Sequence, residues 1–198
     1  MRTLLALILF TLSAATAAEL FDLKADLAER NKRAKAQSHC IGDETVVFTC
    51  NISGKIASIC ASELNSSQQY VQYRFGKRNK IELELPQKSG YKPVMVAYMN
   101  AMVASGYANY VRFTKNSYHY YIFNSSVRGE NDPGTGVSTR IEPSGIAVAK
   151  DGKIIYHRRC STPAFDHNVG EHFWGKAVVT LNIDDDVNPF DIAFPVKP

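Results

Sequence analysis

The chain has 198 residues, a formal net charge of +4, 45% hydrophobic residues and 21% charged residues. This composition is ordinary for a globular protein, and so small a charge argues against a nucleic-acid-binding protein, which needs a concentrated basic face. Ten tyrosines, ten phenylalanines and one tryptophan are typical of β-rich domains, because large flat side chains pack well on a pleated surface.

The N-terminus has the pattern of a secretory signal peptide. Met1 and Arg2 precede an apolar run from Leu4 to Leu12, and small residues follow as far as Ala18. Charge, apolar segment and small-residue cleavage site are the three parts of such a leader. The run is too short to be a transmembrane segment. We therefore assign residues 1–18 to a signal peptide and expect a periplasmic or secreted protein.

A basic amphipathic segment follows. Leu20, Leu23 and Leu27 recur at helical spacing among basic and acidic residues, which predicts a short helical arm over residues 19–38. A basic arm can touch an anionic surface or be a solvated terminus, and the pattern favours the second interpretation.

From Glu44 onward the residues alternate as in β-strands. Predicted strands are Thr45–Cys50, Lys55–Ala61, Gln69–Phe75, Ile81–Leu85, Tyr107–Phe113, Tyr118–Phe123, Ile146–Ala149, Ile154–Arg158 and Ala177–Ile183. Residues 93–104 are apolar without a clear period and fit a strand or a short helix. Asp151 and Gly152 predict a type I′ hairpin turn, since that turn needs positive φ angles.

Two long segments between strands are predicted as loops. They are Ser125–Ser138, which is rich in glycine, and Ser161–Lys176, which contains His167, His172 and Trp174. Structureless loops of this length are usually functional or disordered. Short strands at nearly regular spacing predict an all-β fold over residues 39–198, a single mostly antiparallel sandwich or barrel-like domain.

The four cysteines are predicted to form disulfides. Beyond the cytoplasm, Cys40, Cys50, Cys60 and Cys160 are expected to be oxidised, and their spacing lacks the close cysteine pair of a zinc site. Four cysteines allow three pairings, which the sequence leaves open. Cys50 and Cys60 lie on adjacent predicted strands with no clear shared face, which favours Cys40–Cys60 with Cys50–Cys160.

Several motifs resemble those of a recurrent group of small secreted bacterial proteins. In that group an F-x-C strand is followed by S-x-C-A-S and then by Y-x-Y-R-F-G, as in Phe48–Cys50, Ser58–Ser62 and Tyr70–Gly76 here. The resemblance is good from Cys40 to about Pro86, thinner through Tyr110–Phe123 and Cys160, and does not extend to the last 35 residues. It implies an exported β protein with structural cysteines and implies no activity.

Candidate metal sites are weak. His167 and His172 lie near acidic residues, but their spacing does not match H-E-x-x-H. Asp184, Asp186 and Asn188 resemble the start of a calcium loop, but proline stands where such a loop needs glycine. The sequence therefore predicts no metal and no other cofactor.

Candidate catalytic residues are also not assembled in the sequence. No serine lies in a G-x-S-x-G motif, and nothing in the sequence pairs a histidine with a nucleophile.

The segment from Ser105 to Tyr110 matches the S-G-x-x-x-Y loop of secreted bacterial lysozyme inhibitors. The remainder of the chain does not resemble those inhibitors, so an ordinary turn followed by strand tyrosines is the favoured interpretation.

The functional hypothesis is a non-enzymatic binding protein whose partner is an envelope protein or glycan. One form of this role is inhibition of an envelope-active enzyme. Loops on a rigid scaffold commonly carry binding, and the candidate contact residues are Ser105, Tyr107, Tyr110 and Trp174. The alternatives are an envelope hydrolase with His167 or His172 as base, and a structural envelope component that uses the arm.

Overall fold

The computed structural model describes residues 29, 32–62, 70–86, 96–103, 105–161, 165–166, 182–183 and 187–194. The chain divides into two units, Met1–Ala36 and Gln37–Pro198. In the first unit, residues 32–36 are helical. Arg33 Nε lies 3.7 Å from Oε1 of Glu29, which precedes it by four residues. The predicted signal peptide and most of the predicted arm lie outside the described residues.

The second unit contains two sheets. The first has the order β11-β1-β2-β3-β4, with β1 Thr45–Ile52, β2 Lys55–Ala61, β3 Val71–Lys77, β4 Lys80–Leu85 and β11 Phe165–Asp166. The second has the order β10-β9-β7-β6-β5-β12, with β8 paired to β7. Its strands are β5 Val96–Val103, β6 Gly106–Lys115, β7 Tyr118–Asn131, β8 Ser138–Ile141, β9 Ser144–Lys150, β10 Lys153–Arg159 and β12 Asn182–Ile183.

All described strand pairs are antiparallel except β12 with β5. The predicted all-β, mostly antiparallel fold is confirmed. The described residues also include a short helix, α1, at Pro189–Ala193. Asn188 caps α1 by accepting the Phe190 N–H at 3.0 Å, and Pro189 suits its first turn. No helix within the described ranges is long and apolar enough to cross a membrane.

The core lies between the sheets and follows from strand alternation. Ile59 and Tyr73 from the first sheet meet Val111, Phe113 and Ile122 from the second. The Tyr73 and Phe113 rings stack with centroids 5.8 Å apart. Since successive strand residues point to opposite faces, the polar residues between these positions lie on the outer faces.

Two hairpin turns have the same geometry. Ser53 and Gly54 have φ angles of 51° and 78°, and Asp151 and Gly152 have φ angles of 49° and 75°. Positive φ at both central residues is the requirement of a type I′ turn. The pairing of Lys150 with Lys153 places Asp151 and Gly152 at the centre of the second turn, which confirms that prediction.

The predicted long loop Ser125–Ser138 is wrong. Strand β7 continues to Asn131, a tight turn follows, and β8 returns beside it. Asp132 closes the turn by accepting N–H groups from Gly134 at 2.9 Å and Thr135 at 2.8 Å. The second half of β7 carries serine, arginine and asparagine in place of alternating apolar residues, so its hydrophobic pattern did not indicate a strand.

The other differences between the predicted and the observed elements are small. The segment read as either strand or helix forms β5, and β3 passes through Gly76 to end at Lys77. Most of the predicted loop Ser161–Lys176 and of the predicted strand Ala177–Ile183 lies outside the described residues. The described parts of these segments are Ser161 and the short strands β11 and β12.

Candidate functional site

Among the described residues, the most enclosed charged group is an ion pair on the outer face of the first sheet. The side chain of Arg74 on β3 is 1% exposed, and that of Glu44 is 4% exposed. Arg74 Nη1 donates to Glu44 Oε2 at 2.6 Å, and Arg74 Nη2 donates to Glu44 Oε1 at 2.7 Å. This two-point geometry is the strong form of an arginine–carboxylate contact.

The remaining donors of the Arg74 guanidinium are also used. Nε donates to Glu84 Oε2 at 3.0 Å, Nη1 to the His39 carbonyl at 2.8 Å, and Nη2 to Gln72 Oε1 at 2.6 Å. Each N–H of the group therefore has an acceptor. Burying a cation is tolerated here because its hydration is replaced completely.

Both carboxylate oxygens of Glu44 also accept hydrogen bonds from several donors. Besides Arg74, its oxygens accept the Tyr70 hydroxyl at 2.6 Å and the Ile41 N–H at 2.7 Å. Burial raises the pKa of Glu44, but the hydrogen bonds from Arg74, Tyr70 and Ile41 outweigh burial and hold that pKa at about 2. A carboxylate so acidic and so enclosed stays ionised near neutral pH, which fits a structural role better than proton transfer.

The ion pair fastens the segment Gln37–Glu44, here named the N-terminal strap, to the first sheet. The disulfide Cys40–Cys60, with Cα atoms 5.3 Å apart, holds its middle. His39 N–H donates to Ser58 Oγ at 3.0 Å, and the His39 ring lies 3.2 Å from the Gly76 carbonyl oxygen. The strap thus uses side chains from β2 and β3 that point away from the core.

The strap gives two of the motifs quoted above a structural role. Within S-x-C-A-S, Ser58 and Cys60 touch the strap, and within Y-x-Y-R-F-G, Tyr70 and Arg74 bind Glu44. Gly76 lies at a register shift with β4, where a Cβ would come within 2.7 Å of the Glu82 backbone nitrogen. Packing of the strap therefore accounts for Ser58, Cys60, Tyr70 and Arg74, and the close approach of β4 accounts for Gly76.

One group of potential metal ligands is present within the described ranges, and it is the same network. Cys40, Glu44 and Cys60 place one ligand atom each within 4.8 Å of one another. The two cysteines are joined in a disulfide and Glu44 is bonded to Arg74, so this donor set does not suit a cation, which needs deprotonated free ligands.

A second candidate lies on the second sheet, at the end far from its apolar core. The core row Tyr98–Val111–Ile122–Ile146 is followed on the same face by the row Asn100–Asn109–Asn124–Ser144, two residues further along each strand. The next row contains Met102, Tyr107 and Ser126. Beyond it, Arg128 and Arg140 are partners across β7 and β8.

We name this face the distal platform and define it by Asn100, Met102, Tyr107, Asn109, Asn124, Ser126, Arg128 and Arg140. Asn100, Met102, Arg128 and Arg140 are exposed, whereas Tyr107, Asn109 and Asn124 are half-buried. Met102 is 82% exposed. Ser126 is buried, so the platform is open to solvent mainly at its four exposed side chains, and a polar face with exposed groups is suited to contact with a partner.

Hydrogen bonds order the arginine end of the platform. Arg140 donates to Ser126 Oγ from Nε at 2.9 Å and from Nη2 at 2.8 Å, and Ser126 Oγ donates to Glu142 Oε1 at 3.0 Å. Arg128 Nη2 donates to Asn131 Oδ1 at 3.2 Å. Both guanidinium groups are therefore held in place on paired strands.

The candidate contact residues fall in different places. Ser105 precedes β6, where its carbonyl accepts the Arg128 N–H at 3.0 Å, and Tyr107 lies on the platform. Tyr110 is 1% exposed, packs edge-on against Tyr121 at 5.0 Å and donates to the Val187 carbonyl. A tyrosine so buried stabilises the contact with α1 and does not face a partner. Trp174 lies outside the described residues.

The described histidines lie in three separate parts of the fold. His39 belongs to the strap, His119 lies 3.0 Å from Thr114 Oγ1, and His157 lies 3.1 Å from the Ile192 carbonyl oxygen. Burial lowers the pKa of His157, and Arg159 and Arg158 lower it further. His167 and His172, the bases of the hydrolase alternative, and Asp184–Asp186 of the calcium alternative lie outside the described residues.

Sequence reasoning missed the distal platform and the Glu44–Arg74 pair. The asparagine row appears only when three strands are aligned, because Asn100, Asn109 and Asn124 lie on different strands. No family model, curated protein or solved structure matches this chain.

Proposed function

We propose that the protein is a non-enzymatic binding protein of the periplasm or cell exterior, and that it contacts its partner through the distal platform. The observation that carries this proposal is the continuation of the second sheet past its apolar core as a partly exposed face of amide, aromatic and guanidinium groups. The partner is an envelope protein or glycan, and inhibition of an envelope enzyme is one form of this role.

The rigidity of the scaffold supports the proposed binding function. The platform is built on strands, and strands position contact groups more rigidly than loops do. A disulfide also joins Cys50 on β1 to Cys160 at the end of β10. A preorganised surface spends less conformational entropy on binding. The two disulfides are consistent with an oxidising compartment, as the signal peptide and the resemblance to secreted bacterial proteins predict.

Capture of partners from envelope extract tests the proposal. The chain from residue 19 onward, immobilised, is expected to retain a specific component, and Tyr107→Ala should reduce that retention severalfold because a large aromatic contact is lost. Tyr118→Ala is the matched control, since Tyr118 is a half-buried tyrosine at the other end of the β6–β7 hairpin. Equal retention by the two variants would count against the platform.

The hydrolase alternative is tested in the same preparation. Incubation of the protein with peptidoglycan and with unstructured peptides is expected to give no turnover above background. Turnover that disappears in a variant carrying both His167→Ala and His172→Ala would contradict a binding-only role and establish the enzyme.

A further inference from the structure

We infer that the ligand of the distal platform is an acidic glycan, a sugar polymer that carries carboxylates. This inference rests on the proposed function and names the chemical class of its partner. Three features of the platform support it: the amide row, the paired arginines, and a half-buried tyrosine beside an exposed methionine.

The amide row matches sugar hydroxyls. Asn100, Asn109 and Asn124 are consecutive cross-strand partners on one face, and each amide offers both donors and an acceptor. Sugar hydroxyls likewise donate and accept, so a row of amides can bind successive hydroxyls along a chain. Asn100 is exposed, and Asn109 and Asn124 are half-buried, so the amide row is open to solvent over part of its length.

The paired arginines provide the preference for acid. Arg128 and Arg140 are directly opposite each other across β7 and β8 and both are exposed. Like charges placed opposite each other destabilise a sheet, and an anion between them removes that cost. The planar guanidinium binds carboxylate through two parallel hydrogen bonds.

The acidic groups nearby do not cancel the pair. Glu142 is bonded to Ser126 and offsets one of the two positive charges, so the face keeps an excess of positive charge. Glu130 falls at the register shift between Arg128 and Asn131. The regular alternation of faces is interrupted there, so Glu130 is not counted among the residues of the platform.

Tyr107 and Met102 complete the surface. They are partners across β5 and β6, and Met102 is one of the most exposed large apolar residues of the described part of the chain. A tyrosine ring offers a flat apolar face together with a polar hydroxyl, which matches the apolar face and hydroxyl rim of a pyranose. A glycan therefore fits the whole platform, whereas a purely ionic ligand would use only the arginines.

Calorimetric titration with defined polymers tests the ligand class. The probes are a galacturonate oligosaccharide, a neutral dextran oligosaccharide of equal length, and a single-stranded DNA of equal charge. We expect measurable binding of the uronate, weaker binding of the dextran and weaker binding of the DNA. DNA binding as tight as uronate binding would overturn the inference in favour of general attraction to polyanions.

Paired variants locate the site. The double variant Arg128→Gln, Arg140→Gln should weaken uronate binding at least about tenfold, because two charge-assisted contacts are lost. Asn109→Ala should weaken both uronate and dextran. The control is Lys153→Gln with Arg158→Gln, which removes two exposed cations from β10 and should leave the affinity within about twofold. Equal losses in the arginine double variant and the control would overturn the inference.

Two further readouts keep the outcome interpretable. The variant Arg128→Lys, Arg140→Lys retains the charge but not the planar fork, so it should restore only part of the affinity. Thermal unfolding should show that every variant used is folded at the temperature of the titration. If no uronate binds while Tyr107→Ala still reduces capture from extract, the glycan inference fails and the proposed binding function stands. If neither is observed, both fail.

Discussion

At the scale of single residues, Glu44 and Arg74 show how a buried charge is made tolerable. Each group would cost several kcal/mol if buried alone, and each is instead surrounded by partners of opposite polarity. Replacing one partner leaves the other uncompensated, so the pair specifies the position of the strap as well as stabilising it.

Glu44 predicts a pH dependence of folding. Its pKa is about 2 in the folded protein against an ordinary value of 4.5. A carboxylate with a lowered folded pKa contributes stability above its unfolded pKa and loses that contribution as the pH falls towards its folded pKa. Denaturant unfolding should therefore show a loss of about 3 kcal/mol attributable to Glu44 between pH 4.5 and pH 2.

The variant Glu44→Gln isolates this contribution. It should be less stable than the wild type at pH 7, and its free energy of unfolding should fall less steeply below pH 4.5. Glu82→Gln is the matched control, because Glu82 forms a partly exposed salt bridge with Lys55 on the same sheet and exposed pairs contribute little. A Glu44→Gln profile parallel to that of the wild type would refute the assignment.

At the scale of elements, the turns determine where each hairpin reverses. Asp151-Gly152 and Ser53-Gly54 are two-residue connections with positive φ, so the registers of β9–β10 and β1–β2 follow from the local sequence. A side-chain contact orders the reversal between β7 and β8, where Asp132 accepts two backbone N–H groups.

Gly152→Ala should destabilise the domain by about 1 kcal/mol, because a Cβ at a φ of 75° is strained. The free energy of unfolding in denaturant is the measurement. A Cβ at Gly152 meets nothing within 4 Å, so steric collision would not contribute to the loss. At Gly134, where φ is not in the left-handed region, the same substitution should be neutral or slightly stabilising. Equal losses at the two positions would argue against the type I′ turn.

At the scale of the whole molecule, two disulfides join parts that are distant in sequence. Cys40–Cys60 fastens the strap to the first sheet across a separation of 20 residues. Cys50–Cys160 joins the first sheet to the end of β10 in the second across a separation of 110 residues. This pairing is the one favoured by the sequence, and it leaves no free cysteine in the chain.

Removal of each disulfide should destabilise the domain, and by more for the bridge that closes the longer loop. Replacing Cys40 and Cys60 by serine should cost about 3 kcal/mol, and replacing Cys50 and Cys160 should cost about 5 kcal/mol, since the longer loop restricts the unfolded chain more. Denaturant unfolding of the two double variants is the measurement. A larger loss for Cys40 and Cys60 would mean that contacts of the strap, and not loop closure, dominate its contribution.

The sequence by itself determined the β class, most strand positions, the Asp151-Gly152 turn and the involvement of all four cysteines in disulfides. These features are local, since they depend on alternation over a few residues, on φ preferences and on the even cysteine count. The second half of β7 was missed for the same reason, because its polar residues carry no hydrophobic alternation.

Only the tertiary structure decided which side chains meet. Glu44 and Arg74 are 30 residues apart, and the asparagines of the distal platform come from three strands that must first be aligned. Tyr110, a candidate contact residue, proved to be buried because α1, late in the sequence, packs over it. Long-range register and the covering of outer faces depend on contacts between distant segments, which no local pattern encodes.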